Sequence, residues 1–376
     1  MRTAATGATS ERGARHGSEV APENWRRLAT LCAPAETAAV VKADAYGLGV
    51  ARVAPALWAA GARTFFTALP EEAATVREVL GPAAALYCFN GMAPGDAALL
   101  RAFDIRPLLN SPGQIAAARA AAAGEVSDAP LRCGLQLDTG MNRLGLEADE
   151  LAAVLDDPRG LDGLAPDLVI SHLACADDPA DPMNAAQSAA FAAMTAHPRL
   201  SRLRRSLSAT GGALLGPDWR HDLVRPGIGL YGGLPFAEAA PVVRLSVPIL
   251  QIRAVAAGEA VGYGAAWRAD RETRVATISA GYADGLIRAM SGRARVFHGG
   301  RALPVLGRVS MDLITVDVTE APGLAPGDAL ELLGPRQTID ALAGAAGTIG
   351  YEILTSLGSR YARRYEGGEA IPLAER

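Results

Sequence analysis

Long apolar runs are missing from this chain. No stretch of the 376 residues approaches the ~18 consecutive apolar residues of a membrane-crossing helix, so no membrane partner is expected. A surplus of positive charge is missing as well. The 36 Lys and Arg stand against 40 Asp and Glu, the net charge is −4, and no charge run occurs, which leaves no footprint for nucleic acid. Cysteines are few. Cys32, Cys88, Cys133 and Cys175 are scattered without metal-ligand spacing, so no metal site is expected. The last three lie in apolar runs, where buried thiols and a reducing, cytoplasmic location are the expectation. The first twenty residues carry Arg2, Arg12 and Arg15 but no apolar stretch of a secretory signal. Residues 1–20 are expected to be poorly ordered, without strand alternation.

What is present is apolar residue in quantity, half of the chain, and a regular texture. Eight short β-rich runs fall at residues 38–43, 64–69, 85–90, 105–110, 132–138, 167–173, 205–209 and 223–231. Most gaps hold Ala/Leu/Glu/Arg-rich helical patterns, such as residues 71–80, 114–124 and 147–155. Strand–helix alternation repeated this often predicts a TIM-type (β/α)8 barrel over residues 21–240, with an open doubly wound sheet as the alternative. After residue 240 strands follow one another at 242–255, 273–280, 294–297, 303–310 and 313–318, and Gly299-Gly300 supplies a hairpin turn. Short helices are expected at 339–346 and 351–357. Residues 241–376 therefore read as a second, mostly antiparallel β domain, joined through 235–241.

In a barrel, chemistry gathers at the C-terminal strand ends. Lys42, Asp138, Arg143, His172, Thr210 and Arg225 are expected there. Lys42 ends an apolar run at the mouth of a strand. A partly desolvated lysine can form a Schiff base with an aldehyde, and Tyr46, placed where a helix would begin, can bind a phosphate; together they suggest pyridoxal 5′-phosphate. Taken singly, each has a plainer reading: Lys42 as a strand-end charge, His172 as a hydrogen-bonded core residue, Asp138 and Arg143 as a loop ion pair.

The motifs taken together closely resemble the alanine racemase family of fold-type III pyridoxal phosphate enzymes. They are Val41-Lys42-Ala43-Asp44-Ala45-Tyr46-Gly47, Asp138-Thr139-Gly140-Met141-Asn142-Arg143-Leu144-Gly145, Ser171-His172-Leu173 and Arg225-Pro226-Gly227-Ile228 in the barrel region. Val261-Gly262-Tyr263-Gly264, Gly281-Tyr282-Ala283-Asp284-Gly285, Gly307-Arg308-Val309-Ser310-Met311-Asp312 and Tyr351-Glu352 follow in the family order. The resemblance implies that Lys42 carries the cofactor and serves as base on one face of the substrate, with Tyr263 as acid/base on the other. It implies a phosphate site of Tyr46, Thr210, the amides of Gly227 and Ile228, and Tyr351. Arg225 would meet the pyridine nitrogen and His172 would stand nearby. Arg143 and Met311 would hold the substrate carboxylate, and Tyr282 would narrow access. A homodimer is implied, in which Tyr263, Tyr282 and Met311 reach the partner's site. The implied reaction interconverts L- and D-alanine and supplies peptidoglycan precursors; racemisation of another small amino acid such as serine is the alternative.

This chain departs from the family pattern at Gln136, where many members have a lysine that becomes carbamylated, so no carbon dioxide dependence is expected. Ala209-Thr210 replaces Asn-Ser, and Gly262 and Gly350 replace a serine and an asparagine. The family's opening strand, which pairs within the β domain, is expected to be missing or degraded in residues 1–20.

Overall fold

A computed structural model describes residues 13–17, 20–123 and 129–366. They form two compact units. One spans Ala21–Tyr231 with Pro235–Ala239; the other gathers the Gly13–Gly17 strand, Gly232–Leu234 and the chain from Ala240 on.

The first unit is the barrel. Seven parallel strands lie side by side in chain order: Ala39–Val40, Thr64–Thr67, Ala85–Cys88, Ile105–Leu109, Leu131–Gln136, Leu164–Ile170 and Arg204–Ser206. Leu223–Val224 closes the ring by pairing in parallel with Glu36–Thr37. On one side Arg225 N–H donates to Ser208 O (2.8 Å); on the other Ala38 N–H donates to Val224 O (2.9 Å). An open sheet would leave these edge groups unpaired, so the doubly wound alternative is excluded. Thr64–Thr67 and Ile105–Leu109 are buried at every position, as parallel strands are when helices cover them. The helix Pro182–Met194 starts where Asp181 accepts the Met183 N–H (2.8 Å) and Pro182 occupies the first turn.

The N-terminal half of the barrel interior is polar. Arg106 pairs with Asp167 (2.7 Å), the Tyr87 hydroxyl donates to the same carboxylate (2.7 Å), and Arg204 reaches both that hydroxyl (3.2 Å) and Glu36 (2.6 Å). The carboxylates of Asp167 and Glu36 are each about a third exposed, so solvent screens these pairs, and the cluster serves chiefly to tie the strands together in one register.

The second unit is an eight-stranded sheet in the order Thr273–Ile278, Ile314–Asp317, Arg301–Leu306, Arg295–His298, Ala329–Leu333, Val243–Val255, Gly13–Gly17, Ala362–Glu366. The long Val243–Val255 strand also pairs with Thr273–Ile278, so the sheet curls back on itself. His298 faces Arg301 across a two-residue turn, and Gly299 and Gly300 both take positive φ (54° and 91°), as such a turn requires. Of the two expectations for residues 1–20, a missing opening strand or a degraded one, the first is overturned: a strand is present at Gly13–Gly17. It runs antiparallel to Val243–Val255 and parallel to Ala362–Glu366. Residues 1–12 lie outside the described residues. No helix among the described residues is long and apolar enough to cross a membrane.

Candidate active site

Lys42 follows the first barrel strand, and the chain then does something rare. Ala43, Asp44, Ala45 and Tyr46 all take left-handed conformations, with φ of 53–57°. L-residues resist this by about 1–2 kcal/mol each. The expected helix start at Tyr46 is therefore replaced by a left-handed turn, and the next regular helix begins at Val50. Fixed acceptors hold the turn. Glu72 Oε1 accepts the Ala43 N–H (2.7 Å), and Asp44 Oδ1 accepts the Val50 N–H (2.7 Å). Lys42 is half-buried, with Nζ 5.7 Å from the Phe89 ring centre. Burial and the Arg143 charge push its pKa down, while Glu72 opposes them. A lowered pKa raises the fraction of free amine, the form that attacks an aldehyde.

Arg225 sits at the end of the closing strand, 1 % exposed. Its NH2 donates to Ser171 O (2.6 Å) and its NH1 to Ser206 O (2.8 Å) and Ser206 Oγ. None of these bonds uses Nε. Burial pushes its pKa down to about 9, so it remains a cation at neutral pH. His172, on the adjoining segment, is pushed down to about 3 by burial and by Arg225, Arg143 and Lys42. It is a neutral imidazole throughout the physiological range. Between its ordinary value of 6.5 and about 3, the unfolded chain carries a proton on this ring that the folded chain lacks. Stability should therefore fall as pH drops through that window, and His172→Gln should flatten the fall. Thermal midpoints of the two proteins across the window read this directly; parallel curves would refute it.

Tyr46, Thr210 and Gly227 form a cradle. Thr210 Oγ1 accepts the N–H groups of Gly227 (3.1 Å) and Gly229 (3.3 Å), and Ile228 between them is fully buried. Tyr46 is buried and lies against Tyr231, whose hydroxyl donates to Val40 O (2.9 Å). A Cβ on Gly227 would lie 2.2 Å from the Tyr46 hydroxyl oxygen, so glycine is required for this approach. Amides and hydroxyls converging without a carboxylate suit a phosphate. Gly227→Ala should push Tyr46 out of place and weaken binding of a phosphorylated ligand by about tenfold, one lost hydrogen bond of about 1.4 kcal/mol. Titration with pyridoxal phosphate checks this; an unchanged Kd would show that the cradle holds no phosphate.

Arg143 is exposed and has no hydrogen bond or ion pair among the described residues. Its charge nevertheless acts on Lys42 and His172, which places it at the same rim. Asp138 does not pair with it. Asp138 Oδ1 instead accepts the N–H groups of Gly140 (2.8 Å) and Asn142 (3.2 Å) and shapes the loop. Gln136 makes no bond to Arg143 either; its Nε2 donates to Leu144 O (3.1 Å), bracing the segment that carries the arginine.

Sequence reasoning missed Gln187. From the helix Pro182–Met194 it donates to His172 O (2.9 Å) and Thr139 Oγ1 (3.3 Å), and it accepts the Ala174 N–H (2.8 Å). Thr139 in turn shares a bond with Ser171 (2.8 Å). One amide thus ties the His172 segment to the loop of Arg143. No local pattern marks it. Lys42 itself had a stronger signal than the strand end it occupies: it is the only lysine in the sequence.

The β unit presents its own group. Tyr263, Met311 and Tyr282 are 72 %, 53 % and 43 % exposed. Tyr282 N–H donates to Ser310 O (3.0 Å) and Ala283 N–H to Met311 O (3.0 Å), so these two loops are laced together. Asp284, fully buried, holds Arg360 (2.7 Å), which also pairs with Asp312 (2.7 Å). Gly262 stands at φ +76°, where a serine would be strained. A Cβ at Gly350 would meet the Asp340 carboxylate at 2.6 Å, and that carboxylate also accepts the Leu234 N–H (3.0 Å). Tyr351 beside it is half-buried in the helix Gly350–Ser356.

A barrel whose rim joins a desolvated lysine, a neutral histidine, two arginines and a cradle of hydroxyls and amides has the make-up of an enzyme site. Comparison with known proteins narrows this. Residues 21–235 match the family model for the alanine racemase N-terminal domain, and residues 242–365 match that for its C-terminal domain. The alanine racemase of Cereibacter sphaeroides strain ATCC 17029 is 54 % identical over 347 residues, covering 91 % of this chain and 94 % of that protein. That of Dinoroseobacter shibae is 54 % identical, covering 92 % and 96 %. Among solved structures, alanine racemase from Bartonella henselae with covalently bound pyridoxal phosphate is 38 % identical with a TM-score of 0.89, covering 94 % and 99 %. Alanine racemase from Streptomyces coelicolor A3(2) is 32 % identical with a TM-score of 0.90, covering 96 % and 99 %. This chain belongs to the alanine racemase family.

Proposed function

We propose that this protein racemises alanine with pyridoxal 5′-phosphate held at Lys42. The observation that carries the reading is a single, desolvated lysine at the barrel rim beside a cradle that glycine alone permits. The cofactor, bound through its aldehyde, would draw electrons from the substrate Cα and so loosen its proton. Tyr46, Thr210, Gly227, Ile228 and Tyr351 would hold its phosphate. Arg225 would donate Nε–H to its ring nitrogen. An arginine there keeps its own proton, so the ring stays a weak electron sink and side reactions are disfavoured.

The chain's own groups do the proton work. Lys42 Nζ would take the Cα proton from one face and Tyr263 Oη would deliver one to the other. Arg143 and the Met311 N–H would hold the carboxylate, and Tyr282 would limit side-chain size. The exposure of Tyr263, Tyr282 and Met311 supports a homodimer in which the β unit of one copy faces the barrel rim of a second. Supply of D-alanine for peptidoglycan in the cytoplasm is part of the same reading. Because the Gln136 amide already braces Leu144, removal of bicarbonate should leave kcat and KM unchanged; a loss restored by added bicarbonate would contradict this.

The test is incubation with L-alanine and pyridoxal phosphate in deuterated water. D-alanine carrying α-deuterium is expected. Exchange without inversion would remove Tyr263 from its assigned role, and turnover of serine in preference to alanine would move the substrate assignment.

A further inference from the structure

Glu72 is one turn into the helix Pro70–Leu80, and its carboxylate does two things at once. Oε2 accepts the N–H groups of Ala68 (2.8 Å) and Leu69 (3.1 Å), which fastens the helix start. Oε1 accepts the Ala43 N–H (2.7 Å), the first amide after Lys42 and the first of the left-handed run. A residue serving only its own helix would stop at the first task. Four consecutive strained residues persist only if the surroundings over-determine them.

The charges bearing on Lys42 are few. Arg143 acts against its cation and Glu72 for it; His172 is neutral and Phe89 is apolar. Of the two charged side chains that bear on Lys42, Glu72 supplies the negative one.

Resting on the reading of Lys42 as the cofactor-bearing amine, we infer that Glu72 is its positioning residue. Its carboxylate locks the left-handed turn that aims the lysine, and it is the counter-charge that keeps the Lys42 nitrogen protonatable in a cationic rim.

The single lysine makes the test clean, because 15N-lysine labelling gives one side-chain nitrogen signal. In holoenzyme, Glu72→Gln keeps the shape but loses the charge and, with only one carbonyl oxygen, cannot satisfy all three amides. The pH midpoint of the Lys42 nitrogen signal should shift downward, and the amides of residues 43–46 should lose exchange protection relative to the rest of the barrel. An unmoved midpoint with unchanged protection overturns the inference. Glu72→Asp provides a second reading if the glutamine variant does not fold. It keeps the charge but is one methylene shorter, so exchange at Ala43 should quicken while the midpoint stays near that of the parent. Unchanged exchange at Ala43 in that variant equally overturns it. A parent signal that remains an ordinary ammonium with pyridoxal phosphate present would overturn the cofactor reading and the assignment of Glu72 with it.

Discussion

Replacing Lys42 with alanine is expected to bring racemisation to background, a fall of at least ~10⁴-fold. On the proposed reading the loss combines a covalent anchor with a general base, and the base alone would account for about 10²–10⁴. The variant should also show no adduct on a lysine after borohydride treatment with pyridoxal phosphate, because the sequence holds no other lysine; peptide mapping separates this from reduction at a terminal α-amine. The side chain is half-buried and makes no hydrogen bond among the described residues, so the barrel should stay folded. Activity together with the absence of a reduced adduct by mass spectrometry reads the result. Residual racemisation within tenfold of the parent would end the assignment.

The second large effect is expected at Tyr263. Tyr263→Phe should slow racemisation by about 10²–10⁴-fold, the usual worth of a positioned acid or base, while leaving cofactor affinity unchanged. The residue is 72 % exposed, so loss of its hydroxyl should move stability by no more than about 0.5 kcal/mol. Exchange of the α-proton of one enantiomer should outlast inversion, since Lys42 remains on its own face. Chirality and deuterium content, followed in one reaction, separate the two processes. Full racemisation by the phenylalanine variant would require another group on the second face.

The barrel and its rim were legible because parallel strands buried on both faces write themselves as short apolar runs, and the residues at their C-terminal ends fall together whatever the helices do. Lys42, His172, Thr210 and Arg225 are all placed this way. What was hidden depends on register or on main-chain geometry. The Tyr87–Arg106–Asp167 cluster joins three strands, and no one of them announces it. Gln187 looks like any polar residue on a helix until its helix is docked. The left-handed turn at 43–46 lacks glycine at all four positions, so nothing in its composition signals positive φ. The Gly13–Gly17 strand was hidden for the opposite reason: five residues with glycine at both ends leave too few side chains to show an alternation.

That strand has a consequence for the order of assembly. Its neighbours are Val243–Val255 and Ala362–Glu366, with Gly13 opposite Ser246 on one side and Ala362 on the other. The polypeptide therefore leaves the sheet, builds an entire barrel, and only then makes the partners its first strand needs. During synthesis the barrel emerges with all its own strands and can close early, through short-range contacts. The amino-terminal strand must wait for most of the protein to be translated, and its second neighbour arrives among the final residues described. A ribosome stalled before Ala362 would hold a sheet that ends at Gly13–Gly17 instead of at Ala362–Glu366, leaving the outward main-chain groups of the amino-terminal strand open to pairing with another nascent chain.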